Sequence, residues 1–288
     1  MSAASATRAG VGGLPLVTPR AADGATADVY LHGAHVTSWR PAPDEDERLF
    51  LSARSDFRSD AAIRGGIPVI FPQFAAEGPL PRHGFARTAE WRLDDVRRTA
   101  AGDAVATLTL CDTPDLRRIW SAEFIATLTV LVGGPRLVVS LGVENTGASP
   151  FSFTCALHTY LRVHDVAQAE VVGLQGTHYR DAADRTRLRV DDAPVLRVTG
   201  ELDRVYVHAP RTLLLREARR ALSVETHDFP DVVLWNPGRK RASALPDMEP
   251  DGERAMLCIE AAVVQTPIVL ATGGRWHASQ TLDAAARG

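Results

Sequence analysis

Residues 123–145 read EFIATLTVLVGGPRLVVSLGVEN. Alternating and β-branched residues run through 123–132 and again through 136–145, with Gly133-Gly134-Pro135 between them. Such alternation marks a half-buried strand, and a short Gly/Pro break between two such runs predicts an antiparallel hairpin. The pattern recurs at 212–217 with 221–226, and at 267–272 with 275–282 across Gly273-Gly274. Helical candidates are short: 55–61, and 114–120, where Thr113 would cap a first turn containing Pro114. Repeated hairpins without strand–helix–strand alternation predict an all-β fold, a large antiparallel β-sandwich with a few short helices.

A chain of 288 residues with 45% hydrophobic content can bury a sizeable core as a single domain. We expect one β-sandwich domain over residues 14–288, preceded by a frayed tail over the Ala/Ser/Gly-rich residues 1–13. The tail lacks the apolar run of a secretory signal, and no stretch is apolar enough to span a bilayer, so a cytoplasmic protein with no membrane partner is expected. A net charge of -3 gives no general attraction to nucleic acid. Lys240 is the one lysine among 32 basic residues, so abundant arginine carries little information by itself. Cys111, Cys155 and Cys258 are odd in number and lie in apolar runs, which predicts buried free thiols rather than disulfides or a zinc site.

The segment from Arg64 to Arg87 has a different character. It opens Arg64-Gly65-Gly66-Ile67-Pro68 and closes Pro81-Arg82-His83-Gly84-Phe85-Ala86-Arg87. Glycine allows close backbone approach, proline stiffens the path, and arginine offers a planar fork suited to phosphate or carboxylate. An ordered loop with surface ion pairs is the plain alternative. The density of rigid backbone and donors favours an anion-binding segment.

Two strands carry candidate chemistry. In 151–158 the alternation puts Phe151, Phe153, Cys155 and Leu157 on a core face and Ser152, Thr154, Ala156 and His158 on a small, polar face fit to line a pocket. In 256–264 a single carboxylate, Glu260, interrupts an apolar run. A buried carboxylate must be paired, hydrogen-bonded or turned to a polar cavity, and burial raises its pKa toward general-base range. A lone histidine at a sheet edge or a structural glutamate–arginine pair are the competing readings. His158 and Glu260 together make a general acid/base pair of a kind shared by hydrolases, isomerases and lyases. Asp203 is the next carboxylate, in a charged turn where a structural role is commoner. The remaining histidines show no metal-ligand spacing, so no metal is expected.

These residues resemble the glucose-6-phosphate 1-epimerase branch of the aldose 1-epimerase, or galactose mutarotase-like, family. The resemblance rests on Arg64-Gly65-Gly66-Ile67-Pro68 with Phe71-Pro72, on Leu80 to Arg87, and on His32-Gly33-Ala34-His35-Val36. It extends to the segment around His158, Asp203-Arg204-Val205-Tyr206, Trp235-Asn236-Pro237, and Asp247-Met248 leading to Cys258-Ile259-Glu260-Ala261. It implies a galactose mutarotase-like β-sandwich, without metal or organic cofactor, that interconverts hexose 6-phosphate anomers, here expected as a monomer. By position it makes His158 the general acid and Glu260 the general base. Arg64 and Arg87 would hold the 6-phosphate, Asp203 would meet a sugar hydroxyl, and His83 would orient the ring oxygen and nearby hydroxyls. Arg82 departs from the pattern, where a neutral residue such as glutamine is common, and would strengthen phosphate binding or alter sugar choice if it enters the pocket. Gly238 departs too, at a position where an aromatic is common. An epimerase for unphosphorylated aldoses and a non-catalytic sugar-phosphate sensor are the alternatives.

Overall fold

In the computed structural model, which describes residues 7–41, 46–182 and 184–285, strand Phe124–Gly133 pairs antiparallel with strand Arg136–Asn145, from Phe124 opposite Asn145 to Gly133 opposite Arg136. Phe124, Ala126, Leu128 and Val130 point inward and are fully buried, as the period-two pattern demands. This hairpin lies within a nine-stranded sheet, which faces an eight-stranded sheet; a four-stranded sheet completes the architecture. One core cluster takes Val29 and Trp39 from the smallest sheet, Leu128 and Leu141 from the nine-stranded one, and Cys155, Leu157 and Ile259 from the eight-stranded one. The fold is the expected large antiparallel β-sandwich. The short helix Pro114–Ile119 forms as read, with Leu116 N–H donating to Thr113 Oγ1 at 3.2 Å.

Four expectations need correction. Residues 267–282 are not a hairpin: strand Met256–Leu270 belongs to the eight-stranded sheet and strand Arg275–Asp283 to the nine-stranded one, so Gly273-Gly274 carries the chain between sheets. Residues 55–61 form turns rather than a helix. There the Ser55 hydroxyl donates to Arg64 C=O and accepts from Arg64 N–H, which ties the segment to a distant loop. The tail does not extend to residue 13, since strand Thr7–Ala9 pairs with strand Pro15–Val17 and Val11 N–H donates to the Tyr30 hydroxyl; residues 1–6 lie outside the described residues. Cys155 and Cys258 are buried, but Cys111 is partly exposed.

The eight-stranded sheet has a second face, turned away from the core, and register decides what it displays. Leu157 pairs with Ala261, so the next step of the antiparallel ladder sets His158 opposite Glu260. Glu260 in turn pairs with Val233, Val233 with Val205, and Val205 with Arg180. A parallel row runs Tyr160–Cys258–Trp235–Asp203. Directly opposed residues share a face, so these two rows form the floor of whatever sits there.

Candidate active site

A cavity of about 310 Å³ opens on this floor, and all seven sequence candidates line it: Arg64, Arg82, His83, Arg87, His158, Asp203 and Glu260. Apolar clusters close its two ends. Ile70, Phe74, Val205 and Val233 pack on one side, and Phe50, Tyr160, Trp235 and Met248 on the other.

His158 follows strand Phe151–Leu157 and is held by its backbone N–H, which donates to Pro68 C=O at 3.0 Å. Its ring is stacked on Tyr160, with centroids 4.8 Å apart and planes 11° from parallel, and is met edge-on by Trp235 at 5.9 Å. Nδ1 faces Glu260 Oε1 at 3.3 Å, in ion-pair reach but without hydrogen-bond alignment. Nδ1 and Glu260 Oε2 are both sealed from solvent with no hydrogen-bond partner among the described residues. Nε2 and Oε1 are therefore the atoms left to the cavity. The Glu260 side chain is 1% exposed and that of His158 12%.

Burial governs the charges. It pushes the Glu260 carboxyl well above the usual carboxylate range, with Asp203 adding repulsion. It also holds the His158 imidazole well below its ordinary value, helped by His83, Arg64 and Arg87. Both shifts favour the uncharged form of each side chain.

The loop over the pocket is set by close backbone approaches. At Gly84, φ is +65° and a Cβ would lie 2.1 Å from Phe71 C=O; at Gly66, φ is +61° and a Cβ would lie 2.2 Å from Val36 C=O. Neither position tolerates a side chain. His83 itself is left-handed, with φ at +67°, a conformation sustained by two bonds to one residue. Its N–H donates to Ala75 C=O, and Ala75 N–H donates to His83 Nδ1 at 3.3 Å. A backbone N–H can only donate, so Nδ1 carries no proton and Nε2–H is the tautomer. Burial and the nearby arginines push the His83 pKa down to about 3, which makes it a neutral donor beside His158, 5.8 Å between ring centroids.

The arginines differ in their partners. Arg64 binds Asp247 through Nε at 3.1 Å and Nη2 at 3.0 Å, and donates from Nη1 to the Tyr160 hydroxyl at 2.9 Å. Arg87 donates to Arg82 C=O at 3.2 Å, and neither Arg87 nor Arg82 forms an ion pair among the described residues. Burial, with Arg64 and Arg82 close by, lowers the Arg87 pKa. Half-buried Arg87 and exposed Arg82 are thus cations without a carboxylate partner among the described residues, an arrangement suited to an anion.

Sequence reading missed Tyr160, Arg180 and Arg241 as residues lining the site. Arg180 pairs with Glu77 at 2.7 Å and Arg241 with Glu201 at 2.9 Å and Asp203 at 3.6 Å. Tyr160 stands two residues from His158, so the period of two already put it on the same face. Nothing local marks the two arginines. Gly238 does not wall the pocket: its φ is +61°, and a Cβ there would lie 2.7 Å from Glu201 N, so Arg241 and Leu245 line that side instead. Among the described residues one group has metal-ligand character, His158, Cys258 and Glu260, whose donor atoms all lie within 4.8 Å of one another. Burial holds the Cys258 thiol well above its ordinary pKa.

The sequence profile described as Aldose 1-epimerase matches residues 15–283. A Cenchrus ciliaris protein with the provisional name glucose-6-phosphate 1-epimerase is 35% identical over 281 residues, covering 94% of this chain and 85% of its own length. An Escherichia coli (strain K12) protein with the same provisional name is 32% identical over 265 residues, 91% of this chain and 87% of its own. The crystal structure of a Salmonella typhimurium protein, provisionally named a mutarotase, matches with a TM-score of 0.89 at 28% identity, covering 98% of this chain and 93% of that one.

Proposed function

The chain belongs to the aldose 1-epimerase family of isomerases, and on that premise we propose that it interconverts the α and β anomers of a hexose 6-phosphate. One observation carries the phosphate preference: Arg82 and Arg87 reach the pocket without a carboxylate partner among the described residues, on the same cavity as a proposed acid/base pair 3.3 Å apart. The other three pocket arginines, Arg64, Arg180 and Arg241, are already paired with acids.

The residues divide the work as follows. Glu260 takes the proton from the anomeric hydroxyl, and His158, protonated, donates from Nε2 to the ring oxygen. The C1–O5 bond breaks as the C1 carbonyl forms. Rotation about C1–C2 presents the other face, and closure returns both protons. The open-chain stage leaves Glu260 protonated and His158 neutral, the uncharged forms that burial favours. Each positioned proton transfer contributes roughly a hundred- to ten-thousand-fold. Neutral His83 donates from Nε2 to the ring oxygen or a neighbouring hydroxyl, and Asp203, steadied by Arg241, accepts from a hydroxyl. Arg64 and Arg87 hold the phosphate, with Arg82 supplementing them from the rim. No metal or organic cofactor enters this scheme.

Among the described residues no helix is long and apolar enough to cross a membrane, and the three free cysteines suit a reducing cytoplasm. The test is anomeric exchange by magnetisation-transfer NMR on glucose 6-phosphate and on glucose, with His158→Ala as control. Fast exchange on the phosphate, lost in the variant, is expected. Exchange on free glucose alone would transfer the protein to unphosphorylated aldoses, and binding without exchange would make it a sensor.

A further inference from the structure

The phosphate end of the pocket and the acid/base pair are in mechanical and electrostatic contact. Arg64 donates to the Tyr160 hydroxyl, the Tyr160 ring lies flat on His158, and His158 faces Glu260. Charged and titratable groups face the imidazole from every element around it, with Asp247 beside Arg64 and Asp203 acting on Glu260. The loop brings His83, Arg64 and Arg87; the sheet brings Tyr160, Trp235, Cys258 and Glu260. Of these cations Arg64 is paired with Asp247 while Arg87 has no carboxylate partner among the described residues, and both oppose a proton on His158. A dianion bound there would cancel that opposition across a medium of low dielectric.

We propose that the Arg64, Arg82 and Arg87 cluster is an activating site for a free oxyanion, so that inorganic phosphite or phosphate bound there switches on ring opening of an unphosphorylated aldose in the adjoining cavity. This rests on the reading of the pocket as a sugar-phosphate isomerase site, and adds to it a second, anion-dependent activity. The dianion is not consumed. The proton of the anomeric hydroxyl goes to Glu260, that of His158 goes to the ring oxygen, C1–O5 breaks as C1=O1 forms, and closure reverses each step. The reason for covalent attachment in the natural substrate would then be entropic, delivering anion and ring together.

The experiment is polarimetry on freshly dissolved α-glucose in a phosphate-free amine buffer, with increasing phosphite and subtraction of the protein-free rate. Exchange of glucose 6-phosphate is followed in parallel by NMR. Saturable acceleration of about tenfold is expected from a dianion that offsets the cations opposing the imidazolium. Its midpoint should match the phosphite concentration that half-inhibits glucose 6-phosphate exchange. The acceleration should vanish in Arg87→Ala, and the acid limb of the glucose pH profile should move to higher pH with phosphite. Phosphite that inhibits glucose 6-phosphate exchange yet leaves glucose unchanged overturns the proposal, as does phosphite that does neither. Absence of glucose 6-phosphate exchange in the wild type is a separate result, and overturns the proposed function itself.

Discussion

The ring of Tyr160 covers one face of the His158 imidazole at 4.8 Å, while its hydroxyl takes a hydrogen bond from Arg64. One side chain therefore sets the plane of the proposed acid and the position of a proposed phosphate ligand. Tyr160→Phe keeps the stack and loses the bond. A hydrogen bond of this kind is worth about 1 kcal/mol net, more when one partner is charged, so KM for the phosphorylated sugar should rise up to about tenfold with kcat nearly kept. Steady-state kinetics decides it: a fall in kcat with KM unmoved would mean that the hydroxyl acts on the chemistry instead.

Glu260→Gln should lower anomeric exchange by about a hundred- to ten-thousand-fold and spare phosphate binding, measured by calorimetry. Near wild-type turnover would remove Glu260 from the mechanism. The same variant should be more stable above neutrality. Because the folded-state pKa of Glu260 is raised, the folded protein keeps a proton that the unfolded chain releases near its ordinary value. Wild-type stability therefore falls as pH climbs from there through the folded pKa. Glutamine has no such proton to lose, so its Tm advantage should grow with pH.

Acid should destabilise the fold through its buried histidines. His35, whose Nε2 donates to Gly65 C=O at 2.7 Å, and His83 are both held near pKa 3, and His158 is well below its ordinary value. The unfolded chain protonates all of these near pH 6.5 while the folded one does not. Stability therefore falls as pH drops below 6.5, by up to about 1.4 kcal/mol per histidine per pH unit. Glu260 works in the opposite direction over the upper part of this window. Urea unfolding between pH 7 and pH 5 should show a net loss, reduced in His83→Asn; a flat profile would contradict neutral buried histidines.

Arg87→Ala should raise KM for a hexose 6-phosphate by about ten- to a hundredfold, the value of a charged hydrogen-bond donor. Arg82 is exposed, so solvent screens it and Arg82→Gln should cost only about a few-fold. Equal effects from the two would place Arg82 on the phosphate as fully as Arg87.

Much of this protein can be read along the chain because side-chain alternation has a period of two. Residues 124–145 announce their hairpin, 151–158 divide into a core face and a pocket face, and Glu260 stands out as the single carboxylate in an apolar strand. These are local properties, set by the cost of burying or exposing each side chain in turn. The Arg64–Arg87 segment likewise shows its rigidity and donors directly.

The rest depended on which strands become neighbours. The turns at Gly133-Gly134-Pro135 and Gly273-Gly274 look alike, yet one closes a hairpin and the other crosses between sheets, because the choice is made by the packing of distant strands. That Arg180 and Arg241 line the pocket with acids to match them, while Arg82 and Arg87 have none among the described residues, follows from how loops, a short helix and the eight-stranded sheet, distant in sequence, pack together. The order of that sheet sets the opposition of His158 and Glu260, about a hundred residues apart in sequence. Sequence alone named the proposed acid, the proposed base and the arginines; only the tertiary structure, through register and burial, decided their separation and which arginines lack a carboxylate partner among the described residues.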